Sequence, residues 1–133
     1  MSEFSNYYEN KIIDHMLRGQ SFTPPTTIYL ALFISPVTDS ELEQGTLTHE
    51  VSGNGYARQP ITLTAASNGQ AENAENIEFP AATGDWGTVT HVAIMDAQTG
   101  GNVLMYSAID TPKTVGTNDI FRVNAGDLKV TVD

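Results

Sequence analysis

The segment from Ile28 to Ile34 is apolar at every position, and it constrains the fold more than any other stretch of the sequence. Successive side chains of an extended strand point to opposite faces, so both faces of this strand are apolar. Such a strand is typical of the centre of a sheet that is covered above and below. We therefore predict that these residues form a central strand in a layered β structure.

After Pro25, short candidate strands alternate with clusters of turn residues. The turn clusters are at 53–55, 67–69, 84–87, 100–101, 116–119 and 124–127. The candidate strands are 27–34, 56–64, a segment ending at 79, 88–95, 103–109, 113–115, 120–123 and 128–132. Pro60 favours an edge position or a bulge for the second strand. The pattern predicts a mainly β fold, an antiparallel β-sandwich of jelly-roll-like type over residues 26–133.

The first 19 residues differ in texture and predict a single N-terminal α-helix, capped by Ser2 or Ser5. Gly19 fits the left-handed residue that ends a helix. At the spacing of a helix, six apolar side chains form one broad stripe. They are Phe4, Tyr8, Ile12, Ile13, Met16 and Leu17. This stripe must lie against the sheet or a neighbouring subunit, and helix and sheet together make one domain of residues 1–133.

The chain has 133 residues, with 16 acidic and 6 basic side chains, and its net charge is −10. Nucleic acids and anionic membranes are bound mainly by clustered Lys and Arg, so we expect neither as a partner. The absence of cysteine excludes disulfides and thiolate metal sites. The start Met1-Ser2-Glu3-Phe4 lacks the features of a signal peptide, so we expect a protein made and kept in the cytoplasm until release by another route.

The acidic segment 35–54 is longer than most connections, so we predict that it contacts a partner or is mobile. Its candidate contact residues are Glu41, Glu43 and His49. Weak calcium binding is an alternative, but a solvated loop is favoured. Neither these side chains nor the other histidines have the spacing of a metal site. We expect no metal, no cofactor and no catalytic residue.

Trp86 is the only tryptophan and lies between Asp85 and Gly87. A tryptophan in a turn can stack on a sugar, with Asp85 as a polar neighbour, or can fill the end of a sandwich. We favour the second interpretation, in which the ring is part of the core.

Six blocks occur in a set order, and together they resemble a family of small tailed-phage virion proteins known as tail fibre or tail-associated proteins. The blocks are 27–33, 50–59, 77–82, 85–91, 95–102 and 124–128. The resemblance covers residues 7–133 and implies that the blocks, and six residues in them, are fold determinants rather than catalytic residues. These are Gly53, Gly55, Arg58, Gly87, Gly100 and Gly101. The glycines permit positive φ in turns, and Arg58 can pair with a carboxylate across the sheet.

The resemblance implies a non-enzymatic virion structural protein of a tailed phage, in the tail fibre or associated with the tail or baseplate. We expect a homo-oligomer, specifically a homotrimer, whose other partners are virion proteins and a host-surface glycan. The candidate subunit contacts are Tyr8, Ile12, Met16, Tyr29 and Phe33. The expected location is the virion tail, after assembly in the cytoplasm of the bacterial host. The alternatives are a carbohydrate-binding receptor tip that uses Trp86 and a capsid decoration protein. An enzyme that degrades polysaccharide is disfavoured.

Overall fold

The computed structural model describes residues 3–132 of the chain, which form nine strands and two helices. The strands are β1 (Glu3–Phe4), β2 (Ile28–Ile34), β3 (Gln59–Ile61), β4 (Gln70–Glu72), β5 (Ile77–Glu78), β6 (Gly87–Met95), β7 (Val103–Val115), β8 (Arg122–Val123) and β9 (Lys129–Thr131). The helices are α1 (Asn6–Met16) and α2 (Asp39–Glu43). The fold is mainly β with one N-terminal helix, as predicted.

The central position predicted for β2 is confirmed. The main sheet has five antiparallel strands in the order β1-β7-β6-β2-β3, so β2 is hydrogen-bonded on both sides. Leu30 and Leu32 point into one apolar cluster, and Ala31 and Phe33 point into another. All four side chains are fully buried. β3, which contains Pro60, is the edge strand next to β2, as the proline indicates.

The second layer consists of two short antiparallel ladders, β4 with β9 and β5 with β8. Side chains from these ladders join the larger core cluster, which also contains Phe79, Trp86 and Phe121. The strands are therefore divided into groups of five, two and two, whereas a jelly roll has two equal sheets. The two layers are consistent with a sandwich that has one extensive sheet.

β7 is longer than predicted, because the expected segments 103–109 and 113–115 are parts of one strand. β6 pairs with both ends of β7, from Met95 paired with Val103 to Gly87 paired with Val115. Between the two paired regions β7 has more residues than β6, so residues 109–112 bulge out of register. Pro112 lies in this bulge, where its missing N–H breaks no ladder bond.

α1 begins after Ser5, whose side chain accepts a hydrogen bond from the N–H of Tyr8. The hydroxyl of Ser5 also donates to the carbonyl of Val103, so the cap fixes the helix to β7. Ser2, the other predicted cap, lies outside the described residues. Gly19 has φ +69° just after the helix, as predicted. Both ends of the helix therefore follow from local sequence.

The central part of the segment 35–54 forms a short helix that packs on the sheet, whereas the sequence predicted a loop throughout. α2 starts at the cap residue Thr38, whose hydroxyl accepts from the N–H of Glu41. Leu42 on α2 is fully buried against the second face of the sheet, in the cluster with Phe33 and Val37. The apolar side chains of β2 require this cover, because both faces of the strand must be removed from water.

Asn73 joins the two ladders of the second layer and is 1% exposed. Its Oδ1 accepts from the N–H groups of Gly126 and Leu128, at 3.0 and 2.9 Å. Its Nδ2 donates to the carbonyls of Glu75 and Asn124, at 2.8 and 3.0 Å. Every hydrogen-bonding position of this buried amide is therefore used, which only asparagine permits at this length.

We expect Asn73→Asp to lower the free energy of unfolding by about 2–4 kcal/mol, since it places a carboxylate against two carbonyls and removes two donors. Asn76→Asp is the control. The side chain of Asn76 is exposed and only accepts, from the N–H of Ala125, so a carboxylate can replace it. Urea unfolding at pH 7 measures both variants. Equal losses in the two would contradict this role of Asn73.

Candidate functional site

Arg58 is the centre of the most highly connected polar cluster. The residue is 3% exposed, and its Nε and Nη2 donate to the two carboxylate oxygens of Glu50 at 2.7 and 2.8 Å. Its Nη1 donates to the carbonyls of Ala97 and Gly100 at 2.8 and 2.7 Å. One guanidinium therefore fixes the end of the 35–54 segment to the turn between β6 and β7. The predicted carboxylate partner exists, but it is only eight residues away in sequence.

Tyr56 completes this cluster. Its hydroxyl donates to Glu50 at 2.7 Å and accepts from the N–H of Leu32 at 3.1 Å. Burial raises the pKa of Tyr56 above its ordinary value of 10.0, and the charge of Glu50 and the hydrogen bond to it act in the same direction. The phenol therefore stays protonated and serves as a donor. Sequence reasoning missed Tyr56 and Glu50, although Glu50 is the only acidic residue in the quoted block 50–59.

The glycines predicted as turn residues have the expected backbone. Positive φ is found at Gly53, Gly55, Gly87, Gly100 and Gly101. The requirement is most severe at Gly101, where a Cβ would lie 2.5 Å from Oδ1 of Asp96. That carboxylate accepts from the N–H and the side-chain amide of Asn102, so it cannot withdraw without loss. The hairpin joining β6 and β7, predicted from this glycine pair, is present.

Trp86 is 4% exposed and lies at the end of the core, as the favoured interpretation expects. Its Nε1 donates to the carbonyl of Asn54 at 2.9 Å, and its ring makes edge contacts with Tyr56 and Phe79. Asp85 is exposed beside it. Since the indole ring is enclosed and its one donor is used, it offers no face on which a sugar can stack.

Two of the three candidate contact residues of the 35–54 segment, Glu41 and His49, contact each other within the chain. Nδ1 of His49 lies 2.9 Å from Oε2 of Glu41. Nε2 of His91 on β6 lies 2.9 Å from Oδ1 of Asp39 at the start of α2. Glu43, the third candidate contact residue, is exposed. The contact of His91 with Asp39 joins α2 to the sheet, and the contact of His49 with Glu41 joins α2 to the end of the same segment. Glu41 and His49 remain partly exposed, so their role in contacting a partner stays a prediction.

Among residues 3–132, no group of three or more potential ligand side chains is placed to hold a metal ion. Neither helix in this range is long and apolar enough to cross a membrane.

The predicted subunit contacts differ widely in exposure. Phe33 is fully buried beneath α2 and has no surface to offer a second subunit, which corrects its assignment. Tyr29 is partly buried on the same face. Tyr8 packs against Phe4 and Phe22, and Ile12 lines a small groove behind it. Met16, by contrast, is 70% exposed.

The apolar side of α1 is thus covered only in part. Its exposed part consists of Ile13, Met16 and Leu17, which are 50%, 70% and 81% exposed. Their spacing of three and four residues places them on one side of the helix. We call these three side chains the α1 patch.

A cleft of about 340 Å³ lies between β7 and β9. Both layers contribute apolar side chains to its lining. These are Val92, Ile94, Met105, Ile109, Leu128 and Val130. Asp110 and Asp127 also line it, and both residues are exposed. We call this feature the β7–β9 cleft.

These features describe a small β scaffold whose loops are fixed by buried polar groups, with an apolar patch and an apolar cleft at its surface. The comparison with known protein families gives the class of the protein, which is that of phage fibre proteins. The chain belongs to the family described as Podophage GP4 fiber I protein gp80, which matches residues 3–131. The protein is therefore a virion component of fibre type, as its sequence blocks indicated. No curated protein matches the chain significantly.

We expect Arg58→Lys to lower the free energy of unfolding by about 3–5 kcal/mol, because a lysine cannot bind Glu50 bidentately and reach two carbonyls as well. Arg122→Lys is the matched control. Arg122 pairs with Glu78, but both side chains are about half exposed, at 52% and 47%. Its loss should stay below about 1 kcal/mol. Urea unfolding compares the two, and similar losses would contradict the structural role of Arg58.

We expect Trp86→Ala to lower the free energy of unfolding by about 3–5 kcal/mol, because it empties the end of the core. Asp85→Ala, at the exposed neighbouring position, should change it by less than about 0.5 kcal/mol. Thermal unfolding followed by circular dichroism tests both. A Trp86→Ala variant that keeps its stability but loses binding on a glycan array would support the sugar-binding interpretation instead.

Proposed function

We propose that this chain is a non-enzymatic structural subunit of a phage fibre, which acts by assembling with copies of itself into a homotrimer. The observation that carries the proposal is the α1 patch, which exposes three large apolar side chains on one side of the helix. Their contact with water is unfavourable, and contact with another subunit would remove it. Fibre proteins work through shape and assembly, so a surface for self-association serves that role directly.

The charge distribution supports self-association at α1 rather than elsewhere. Residues 4–38 contain two acidic and two basic side chains, so this region is neutral in a chain whose net charge is −10. Like charges repel when copies approach through other surfaces, whereas the neutral α1 region imposes no such penalty. Burial of the α1 patch then contributes about 25 cal/mol for each Å² of apolar area removed from water.

A trimer agrees with the three-fold symmetry common among virion appendages. In this arrangement the α1 region lies between subunits, and exposed acidic residues such as Glu43 and Asp85 face outward. Those outward surfaces are where we propose contact with other virion proteins and with the host surface. Because Trp86 is buried, we favour the structural subunit over a carbohydrate-binding tip.

We expect Leu17→Glu to reduce the mass in solution from that of three 14.4 kDa chains to that of one, at micromolar concentration. A charge in a buried apolar contact is costly, whereas at an exposed position of the single chain it is tolerated. The melting temperature of the separated chain should therefore not fall below that of a wild-type sample diluted until it dissociates. Light scattering after gel filtration gives the mass.

The matched control is Ile120→Glu, which makes the same change at a residue 51% exposed outside α1 and should leave the mass unchanged. A wild-type protein that is monomeric at these concentrations would contradict the proposal. So would a Leu17→Glu variant that remains trimeric.

A further inference from the structure

We propose that the β7–β9 cleft of one copy receives the α1 patch of the next copy. The inference rests on the proposed function, because it names the surface that meets α1 when copies assemble. The occupant is thus a second copy of this chain, and the contact joins two different surfaces.

The cleft has the chemistry to bury aliphatic side chains. Its apolar lining comes from β6 and β7 on one side and from Leu128 and Val130 on the other. Val132, two residues further along and 54% exposed, continues the same side of the chain. A volume of about 340 Å³ lies within the range of binding pockets in proteins, so side chains can enter it.

An occupant with aliphatic side chains fits better than a sugar. Among residues 3–132, Tyr106 is the one aromatic residue in the lining, and at 4% exposure it offers little ring surface. Sugars are usually held by exposed aromatic faces, whereas isoleucine, methionine and leucine match an aliphatic surface. The α1 patch supplies those three side chains.

The charges around the two surfaces are complementary. The cleft is lined by Asp110, Asp127 and Lys129, all of them exposed. Lys129 lies 3.6 Å from the carboxylate of Glu72, whereas the ion pairs formed within residues 3–132 include neither aspartate, so the unpaired charge at the cleft is acidic. The α1 patch is flanked by Lys11 and by Arg18, which is 62% exposed even while it pairs with Asp14. Basic groups beside α1 can therefore approach acidic groups beside the cleft, which favours this orientation over others.

Contact between two different surfaces also accounts for a closed trimer. A patch that meets its own copy produces a two-fold dimer, whereas a patch that meets a different surface produces a ring when the rotation closes. No α1 residue among those described lines the cleft of its own chain, so the cleft is available to a neighbour. Each subunit then gives one α1 patch and receives one.

Cysteine cross-linking tests the contact, because the natural chain has no cysteine to interfere. The variants are Leu17→Cys on α1 and Ile109→Cys in the cleft, one of them with a tag that changes its size. They are mixed, allowed to exchange subunits and oxidised. We expect the mixed disulfide to exceed either homodimer at least fivefold on a non-reducing gel. A Glu75→Cys variant, at an exposed position away from the cleft, replaces Ile109→Cys in the control.

The outcomes separate this inference from the proposed function. A predominant Leu17→Cys homodimer means that α1 packs on α1, and it overturns the cleft assignment. A trimer by light scattering without the mixed disulfide overturns the cleft assignment and leaves the proposed function standing. Monomeric wild-type protein overturns both. Binding of a small apolar probe such as 1-anilinonaphthalene-8-sulfonate to the trimer at this cleft would also overturn it, because the cleft would then be vacant.

Charge reversal gives an independent readout. Asp127→Lys should weaken trimer formation by roughly two- to fivefold, and adding Lys11→Glu should restore it. Glu75→Lys makes the same change in net charge elsewhere and should not weaken assembly. Failure of Lys11→Glu to rescue Asp127→Lys would contradict the proposed pairing.

Discussion

The apolar character of both faces of β2 determines how the rest of the molecule must be arranged. One face is covered by the second layer, with its short ladders and aromatic residues. The other face is narrower and is covered by α2 and the residues around it. A segment as acidic as 35–54 would otherwise remain in water, but Leu42 and Val37 attach it to the sheet. The apolar face of β2 therefore determines where the connection that follows it packs.

Polar groups then fix what apolar burial leaves undetermined. Burial has no direction, so it cannot specify which part of a long connection lies where. Arg58 and Asn73 supply that direction, since each makes at least four hydrogen bonds to segments distant from one another. In a chain without cysteine, these buried side chains perform the cross-linking that disulfides perform elsewhere.

Features encoded by near neighbours in sequence were predictable. The strand β2 with its two apolar faces, the cap at Ser5 and the turn at Gly19 all depend on residues within a few positions of one another. The structure has each of these features. The class of phage fibre protein was likewise predictable, from several blocks in a set order. Trp86 was correctly favoured as a core residue.

Features that depend on tertiary contacts were not predictable. α2 contains a single buried apolar residue, so its five positions show no helical period. Phe33 lies on the second apolar face of β2, and the sequence did not show that α2 rather than a second subunit covers this face. The continuity of β7 depends on the length of β6, and the carboxylate that pairs with Arg58 is determined by where Glu50 is held against Phe33. The β7–β9 cleft lies between layers and has no signature in one strand.

The Arg58 cluster has a consequence for how the protein loosens. The guanidinium binds Glu50 and the β6–β7 turn simultaneously. Opening of the turn therefore removes two carbonyl acceptors from Arg58, and release of Glu50 removes its counter-charge. We therefore expect local opening of the hairpin tip to be thermodynamically linked to release of the chain at Glu50, where the 35–54 segment rejoins the sheet beside Phe33.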